Sequence, residues 1–172
     1  IDRPQASYNA GMAFVHLRSH TEFSVVDGTV RIDDLVKAAA KDGQPAVAVT
    51  DLSNLFGAVK LYSAARKKGV QPIIGADVWI EPEESGKTPT RLLLLIQNRQ
   101  GYLRLCELLG EAWTAPGQRS HAWVHWASLA ANNAGLICLS GADLGSIGQA
   151  LINGDAAKAE AEATRLAETF PG

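Results

Sequence analysis

A chain of 172 residues that is 47% hydrophobic and 20% charged lies in the globular range and is long enough for one domain with its own core. Lys+Arg 16 against Asp+Glu 18 leave a formal charge of -2 and a pI near 6.1, so the basic footprint with which nucleic-acid binders neutralise phosphates is absent. No apolar run approaches the roughly 18 residues needed to span a bilayer, and no charged-then-apolar leader opens the chain. Neither a membrane-anchored nor an exported chain is therefore expected, and the cytoplasm is the expected location. Cys106 and Cys138 both sit in apolar runs, a setting for buried, reduced thiols rather than a disulfide framework.

Met12 stands directly before the first patterned sequence, so residues 1–11 read as a leader or disordered tail and residues 12–172 as the domain. Phe14, His16, Arg18 and His20 alternate with Val15, Leu17 and Ser19, and a strand here would point those four side chains the same way. After the Asp27-Gly28 turn, a helix carries Asp33 and Asp34 in its first turn, apolar Leu35, Val36 and Ala39, and a stop at Gly43. Pro45 introduces Ala46 to Thr50, a buried strand ending at Asp51. A second helix from about Gly57 places Ala58, Val59, Tyr62 and Ala65 on one face and ends at Gly69. Arg66-Lys67-Lys68, just before that terminator, reads as a solvated cluster complementing the helix dipole rather than a nucleic-acid patch. The next strand, Pro72 to Ile80, contains Asp77.

A polar loop, Pro82 to Thr90, leads to a strand at Leu92 to Ile96 and a helix carrying Tyr102, Leu105, Cys106 and Leu109. Trp113 to Trp126 reads as loop plus a short helical turn. His121 and His125 have the spacing of a helical zinc pair, but Ala122 stands where the zinc-protease motif places Glu. Leu136 to Leu139 is another buried strand, closed by Ser140-Gly141. The glycine-rich stretch Gly141 to Gly148 lacks the Gly-Lys-Ser/Thr ending of a phosphate loop. A last helix, opened by Asp155, has an apolar stripe of Ala159, Ala163, Leu166, Ala167 and Phe170, with Lys158, Glu162 and Arg165 facing water and a stop at Pro171-Gly172.

Alternating strands and helices define an α/β class with parallel pairing, as an open doubly wound sheet or part of a barrel. In both, sites form at the carboxyl ends of strands, where His20, Asp51 and Ser140-Gly141 fall. A His, two Asp and an Arg on neighbouring strand positions are candidates for a metal or phosphate site.

Their linear order is more specific. His16-Leu-Arg-Ser-His-Thr-Glu-Phe-Ser24, then Val49-Thr-Asp-Leu-Ser-Asn-Leu-Phe-Gly-Ala-Val-Lys-Leu-Tyr62, then Gln71-Pro-Ile-Ile-Gly-Ala-Asp-Val78 resembles the polymerase and histidinol phosphatase (PHP) domain at the N-terminus of bacterial DNA polymerase III alpha subunits. Similarity runs from about Ala13 to Pro171 and includes Gly135 to Gly141. The resemblance implies a distorted (β/α)7 barrel of which this chain is the first part. Metal-binding members carry a His-x-His pair where Arg18 and His20 stand, an Asp-His pair at Asp51 and Leu52, a glutamate at Asp77 and a cysteine near Ala142. A guanidinium stays charged and has no lone pair to give a metal, so Arg18 repels the ion a histidine binds. Arg18, His20, Asp51, Leu52 and Asp77 are therefore expected to be vestigial positions, with no catalytic, cofactor-binding or metal-ligating residue in this chain. Arg18 is expected to reach Asp51 or Asp77 instead. His20 is expected as a hydrogen-bonded core histidine, and Asp51 either as Arg18's partner or as a cap of the following turn.

By the same resemblance, the parent protein extends DNA with aspartates and Mg2+ held in a separate palm domain. The PHP segment itself is expected to be non-catalytic, to stabilise the rest of the alpha subunit, and to dock the proofreading exonuclease subunit. The alternative is an active metal-dependent phosphoesterase or 3'-5' exonuclease using His20, Asp51 and Asp77 with zinc or manganese. A partial barrel also leaves a strand edge open, so the chain on its own is expected to form oligomers.

Overall fold

Each of the first two helices stops where its end residues demand. In the computed structural model, which describes residues 14–82, 88–116 and 122–171, α1 (Ile32–Lys41) is followed by Gly43 at φ +72° and α2 (Ala58–Lys68) by Gly69 at φ +73°. This left-handed backbone is open to glycine without a Cβ penalty. The proposed leader at residues 1–11 lies outside the described residues. The apolar faces follow tertiary contacts: α1 buries Ile32, Val36 and Ala39, and α2 buries Leu61 and Ala65. The expected face of α2 is corrected by this result, because Val59 and Tyr62 point to solvent and the inward i, i+4 pair is Leu61 and Ala65.

The strands are β1 (Ala46–Val49), β2 (Gln71–Ile80), β3 (Thr90–Ile96), β4 (Trp123–Val124) and β5 (Leu136–Leu139). The sheet runs β1-β2-β3-β5, with β4 also on β2. β1 and β2 are parallel, joined through α2, and β4 is parallel to β2. β2 and β3 are antiparallel, with Asp77 opposite Leu93, and β3 and β5 are antiparallel, with Leu94 opposite Cys138. The all-parallel expectation therefore fails at β3. Residues 81–89 are fewer than the dozen or so that a parallel crossover needs, so the chain can only turn back. Residues 14–20 form no strand. They run beside β1 through one bridge, His16 to Val47, with Ala48 N–H donating to the His16 carbonyl at 2.9 Å and Thr50 N–H to that of Ser19 at 2.9 Å.

Helix α3 (Arg99–Thr114) opens on Asn98, whose side chain accepts from Gly101 N–H, and buries Leu105, Leu108 and Leu109. Tyr102 and Cys106 are exposed, so Cys106 is not the buried thiol expected. Cys138 is half-buried, and burial pushes its thiol up to about 12. Gly101 is required by close packing rather than by its own conformation: a Cβ there would lie 1.8 Å from the Gly135 carbonyl oxygen ahead of β5. Gly101→Ala is expected to lower stability by about 1–3 kcal/mol, the range for overpacking. An unchanged urea midpoint would show that the two segments can separate at no cost.

β4 interrupts the stretch expected as loop, and α4 (Trp126–Ala131) supplies the short helix after it. Residues 123–124 are extended, and His125 follows them as the N-cap of α4. His121 itself lies outside the described residues, and His125 pairs with Glu81. The glycine-rich stretch is a 3-10 turn at Ala142–Leu144 followed by α5 (Ser146–Ile152), a helix the sequence reading did not anticipate. A Cβ at Gly145 would sit 1.6 Å from the Ser140 carbonyl oxygen, so these glycines serve packing. In α6 (Ala156–Thr169), Asp155 caps the Lys158 N–H as expected. The expected stripe is corrected in part: Ala159 is buried and Leu166 and Phe170 pack on the core, but Ala163 and Ala167 are exposed. Arg165 lies over the Trp126 ring at 4.2 Å instead of facing open water.

Two apolar clusters result. One joins β2, β3, α3 and α4 through Val78, Leu94, Leu105, Leu108 and Leu129; the other joins α1, α2 and β1 through Ile32, Val36, Val47 and Leu61. Among the described residues, no helix is long and apolar enough to cross a membrane.

Candidate functional site

Asp77 lies near the middle of the sheet's longest strand and is fully buried. Its N–H points toward the Thr50 and Asp51 carbonyls and its own carbonyl accepts from Ser53 N–H at 2.8 Å, so the backbone fixes it against the end of β1. Across that end runs the loop of residues 18–28. Its shape is set locally: Ser24 N–H donates to the Thr21 carbonyl, Asp27 and Gly28 N–H to the Ser24 carbonyl, and the Ser24 hydroxyl to Asp27 at 2.6 Å.

Asp51 anchors this loop. Its carboxylate accepts from Thr21 N–H at 2.5 Å and from the Thr21 hydroxyl at 2.8 Å. Burial pushes the Asp51 carboxyl up against the pull of these two donors. Both roles expected for Asp51 are thus corrected, since Thr21 occupies both of its oxygens. The turn after it is held by Asn54, whose side chain donates to the Phe23 carbonyl and accepts from Phe56 N–H.

Arg18 reaches Asp77 and not Asp51. Its Nε and Nη2 donate to Asp77 Oδ2 at 3.0 and 2.5 Å. His20 is held between two carboxylates, with Nε2 3.1 Å from Asp77 Oδ2 and Nδ1 2.9 Å from Asp27 Oδ1. A second guanidinium completes the cluster: Arg91 Nη1 lies 3.4 Å from Asp27 Oδ2 and 3.6 Å from Asp77 Oδ2, while its plane covers the Trp79 ring at 4.3 Å. Two arginines, two aspartates and a histidine therefore converge from the 18–28 loop, β2 and β3. Leu52 bridges Asp77 through its backbone and donates its N–H to the Ser24 hydroxyl, offering no side-chain donor atom. Ala142, at φ +52°, is exposed just after Gly141, whose Cβ would lie 2.1 Å from the Arg91 carbonyl oxygen. Arg66, Lys67 and Lys68 are exposed at the end of α2.

Asp27 and Arg91 escaped the sequence reading. In the sequence, Asp27 shows only as the first residue of an Asp-Gly turn. Arg91 carried a usable signal, because a cation leading four consecutive leucines into a strand must be paired if it is buried.

The cluster is pH-sensitive in a defined direction. The hydrogen bond to Asp77 is the main cause that raises His20 above 6.5; burial opposes it and the charges of Asp27 and Asp77 add to it. Burial acts to raise Asp27, but the Ser24 hydroxyl, His20 and Arg91 outweigh it and hold that carboxyl below its ordinary value. A raised folded-state value means that the His20 contribution is complete below about pH 6.5 and is lost as pH rises through the folded value. Melting midpoints are expected to decline across that upper range, and His20→Gln to flatten the decline. A wild-type profile identical to that of the variant would remove His20 as the cause.

Among the described residues, no group of three or more His, Cys, Asp or Glu side chains is arranged to hold a metal ion. The sequence matches the PHP domain model over residues 16–172. The chain belongs to the PHP domain family. DNA polymerase III subunit alpha of Pseudomonas aeruginosa is 48% identical over 163 residues, covering 93% of this chain and 14% of that protein. The subunit of the same description from Neisseria meningitidis is 44% identical over 164 residues, covering 92% and 14%. This PHP domain thus spans 14% of the length of these relatives. Among solved structures, an amidohydrolase from Chromobacterium violaceum aligns over 58% of this chain and 33% of that one, with 21% identity and a TM-score of 0.47.

Proposed function

We propose that this chain is the N-terminal PHP segment of a DNA polymerase III alpha subunit, acting in the cytoplasm as a non-catalytic part of the replicase. One observation carries the reading: a guanidinium, not an imidazole, is seated on the buried carboxylate of Asp77. The donor set does not fit a metal. Arg18 offers no lone pair, Leu52 no donor atom, and both ring nitrogens of His20 already face carboxylates. The negative charge that an ion would balance is balanced by Arg18 and Arg91. Primer extension, with its Mg2+ and catalytic aspartates, belongs to the part of the subunit outside this chain.

Elemental analysis of the intact gene product tests the point. Far less than one zinc or manganese per chain is expected, with a melting midpoint indifferent to chelator. A stoichiometric ion lost together with stability would instead favour a metal-dependent phosphoesterase or 3'-5' exonuclease built on His20, Asp51 and Asp77.

Within the replicase, the domain is the first part of a distorted (β/α)7 barrel that stabilises the polymerase and docks the proofreading exonuclease subunit. Co-elution of that subunit with the intact chain, abolished by removing the PHP domain, is the expected result; co-elution without the domain would remove docking from its roles. The outer edge of β5 carries no charged residue or proline to block pairing. The 172-residue chain alone is therefore expected to self-associate through that edge, and a monodisperse monomer in light scattering would contradict this.

A further inference from the structure

The end of the sheet away from the Asp77 cluster is basic, and the fold rather than the sequence makes it so. β1 and β2 are parallel, with Ala46 opposite Gln71 and the Gln71 N–H donating to the Pro45 carbonyl at 2.9 Å. The helices that lead into them therefore finish side by side, α1 with Lys41 in its last turn and α2 with Arg66, Lys67 and Lys68. β3 runs the other way, so it ends on this same side, where Arg99 opens α3. All five side chains are exposed. Among the described residues none of the five is in an ion pair, whereas Lys37 and Lys60, earlier in the same helices, are tied to Asp34 and Glu22. Against these cations stands Asp42, the C-cap of α1, whose carboxylate accepts from the Gln44 side chain at 2.8 Å. Glu168 ends α6 near Asn133, ahead of β5 and two strands from β2. The formal charge of -2 conceals this surface, because Asp27, Asp51 and Asp77 lie at the opposite end of the sheet.

Helix dipoles account for only part of this charge. A helix C-terminus carries the equivalent of roughly half a negative charge, so Lys41 satisfies α1 and one of three cations satisfies α2. Successive helical residues are turned by about 100°, so Arg66, Lys67 and Lys68 cannot all serve the same carbonyls. Arg99 stands at a helix N-terminus, where the dipole is itself positive and adds to the cation. What lies between the charges indicates the partner. No large apolar side chain is exposed between residues 31 and 46 or between 63 and 75. A protein interface has an apolar centre, and this surface has none. Cations without one suit a sugar-phosphate backbone, which they hold by releasing counterions and without side-chain fit. Single strands are held on open aromatic rings. Tyr62, one turn before the cluster, already carries the Arg66 guanidinium over its ring at 5.9 Å, which favours a duplex.

We propose that the end of the domain formed by Lys41, Arg66, Lys67, Lys68 and Arg99 contacts the phosphate backbone of duplex DNA on which the replicase works. The inference rests on the alpha-subunit reading. Its test uses the intact gene product and a fluorescent primer–template, with affinity read by anisotropy across a salt series. Arg66→Gln, Lys67→Gln and Lys68→Gln together are expected to weaken binding about tenfold or more near ~0.1 M salt. The slope of log K against log salt should become shallower by about 2–3. Lys37→Gln with Lys60→Gln, which removes two paired cations, is expected to change neither quantity. An unchanged slope in a triple variant that melts like the parent would overturn the proposal. So would an equal loss from the paired-cation control, or an equal loss on the single-stranded template alone. Should the triple variant melt early, Lys41→Gln and Arg99→Gln carry the same test, each with a slope shallower by about 1 expected and an unchanged slope overturning it. A gene product that cannot extend a primer refutes the alpha-subunit reading instead, before any variant is made.

Discussion

Arg91→Met is expected to cost about 3–4 kcal/mol of folding stability, within the range for removing one partner of a buried ion pair. The Arg91 side chain is 11% exposed and stands between Asp27 and Asp77, the latter with a side chain 1% exposed. Without it, two carboxylates share Arg18 and His20 alone, and Trp79 loses the cation over its ring. The melting midpoint should fall by roughly 6–15 °C for a domain of this size. Arg91→Lys keeps the charge but not the planar stack, so it is expected to recover only part of the loss. Urea unfolding at neutral pH decides the matter. A loss below about 1 kcal/mol would show that the carboxylates are adequately served by their other partners.

Arg18→Met ranks second, at about 1.5–3 kcal/mol, because the Arg18 side chain is 36% exposed and solvent screens part of its attraction for Asp77. The lost interaction is specific, so adding Asp77→Asn should make the second substitution much less costly than it is in the parent chain. The coupling in this double-mutant cycle is expected to exceed about 1 kcal/mol. Additive losses would mean that the two donor contacts on Asp77 Oδ2 contribute geometry without energy. A cycle pairing Arg18→Met with Asp51→Asn is the control. There additivity is expected, since Asp51 bonds to Thr21 and not to Arg18.

Family membership was legible because it lives in linear order. The His16–Ser24, Val49–Tyr62 and Gln71–Val78 blocks need no folding to be read, and the match to the PHP domain over residues 16–172 agrees with them. The pairing of Arg18 with Asp77 was legible in outline for a chemical reason, since a fixed cation placed among carboxylates must find one of them. Which one was not legible. The choice depends on Thr21 closing over Asp51, a contact made only once the loop folds across the end of β1.

Helix ends were written locally, in Gly43, Gly69 and Asp155, where one residue's backbone or side chain supplies the stop or the cap. The inward line of α2, the reversal at β3 and the helix at Ser146–Ile152 were not, because each is decided by what the element packs against. Sequence alone therefore determined the family, the reach of most elements and the presence of a misplaced cation. Tertiary structure alone decided that Asp27 and Arg91 join the cluster: their side chains are 64 positions apart, and only the pairing of β2 with β3 beneath the 18–28 loop brings their charges within hydrogen-bonding distance.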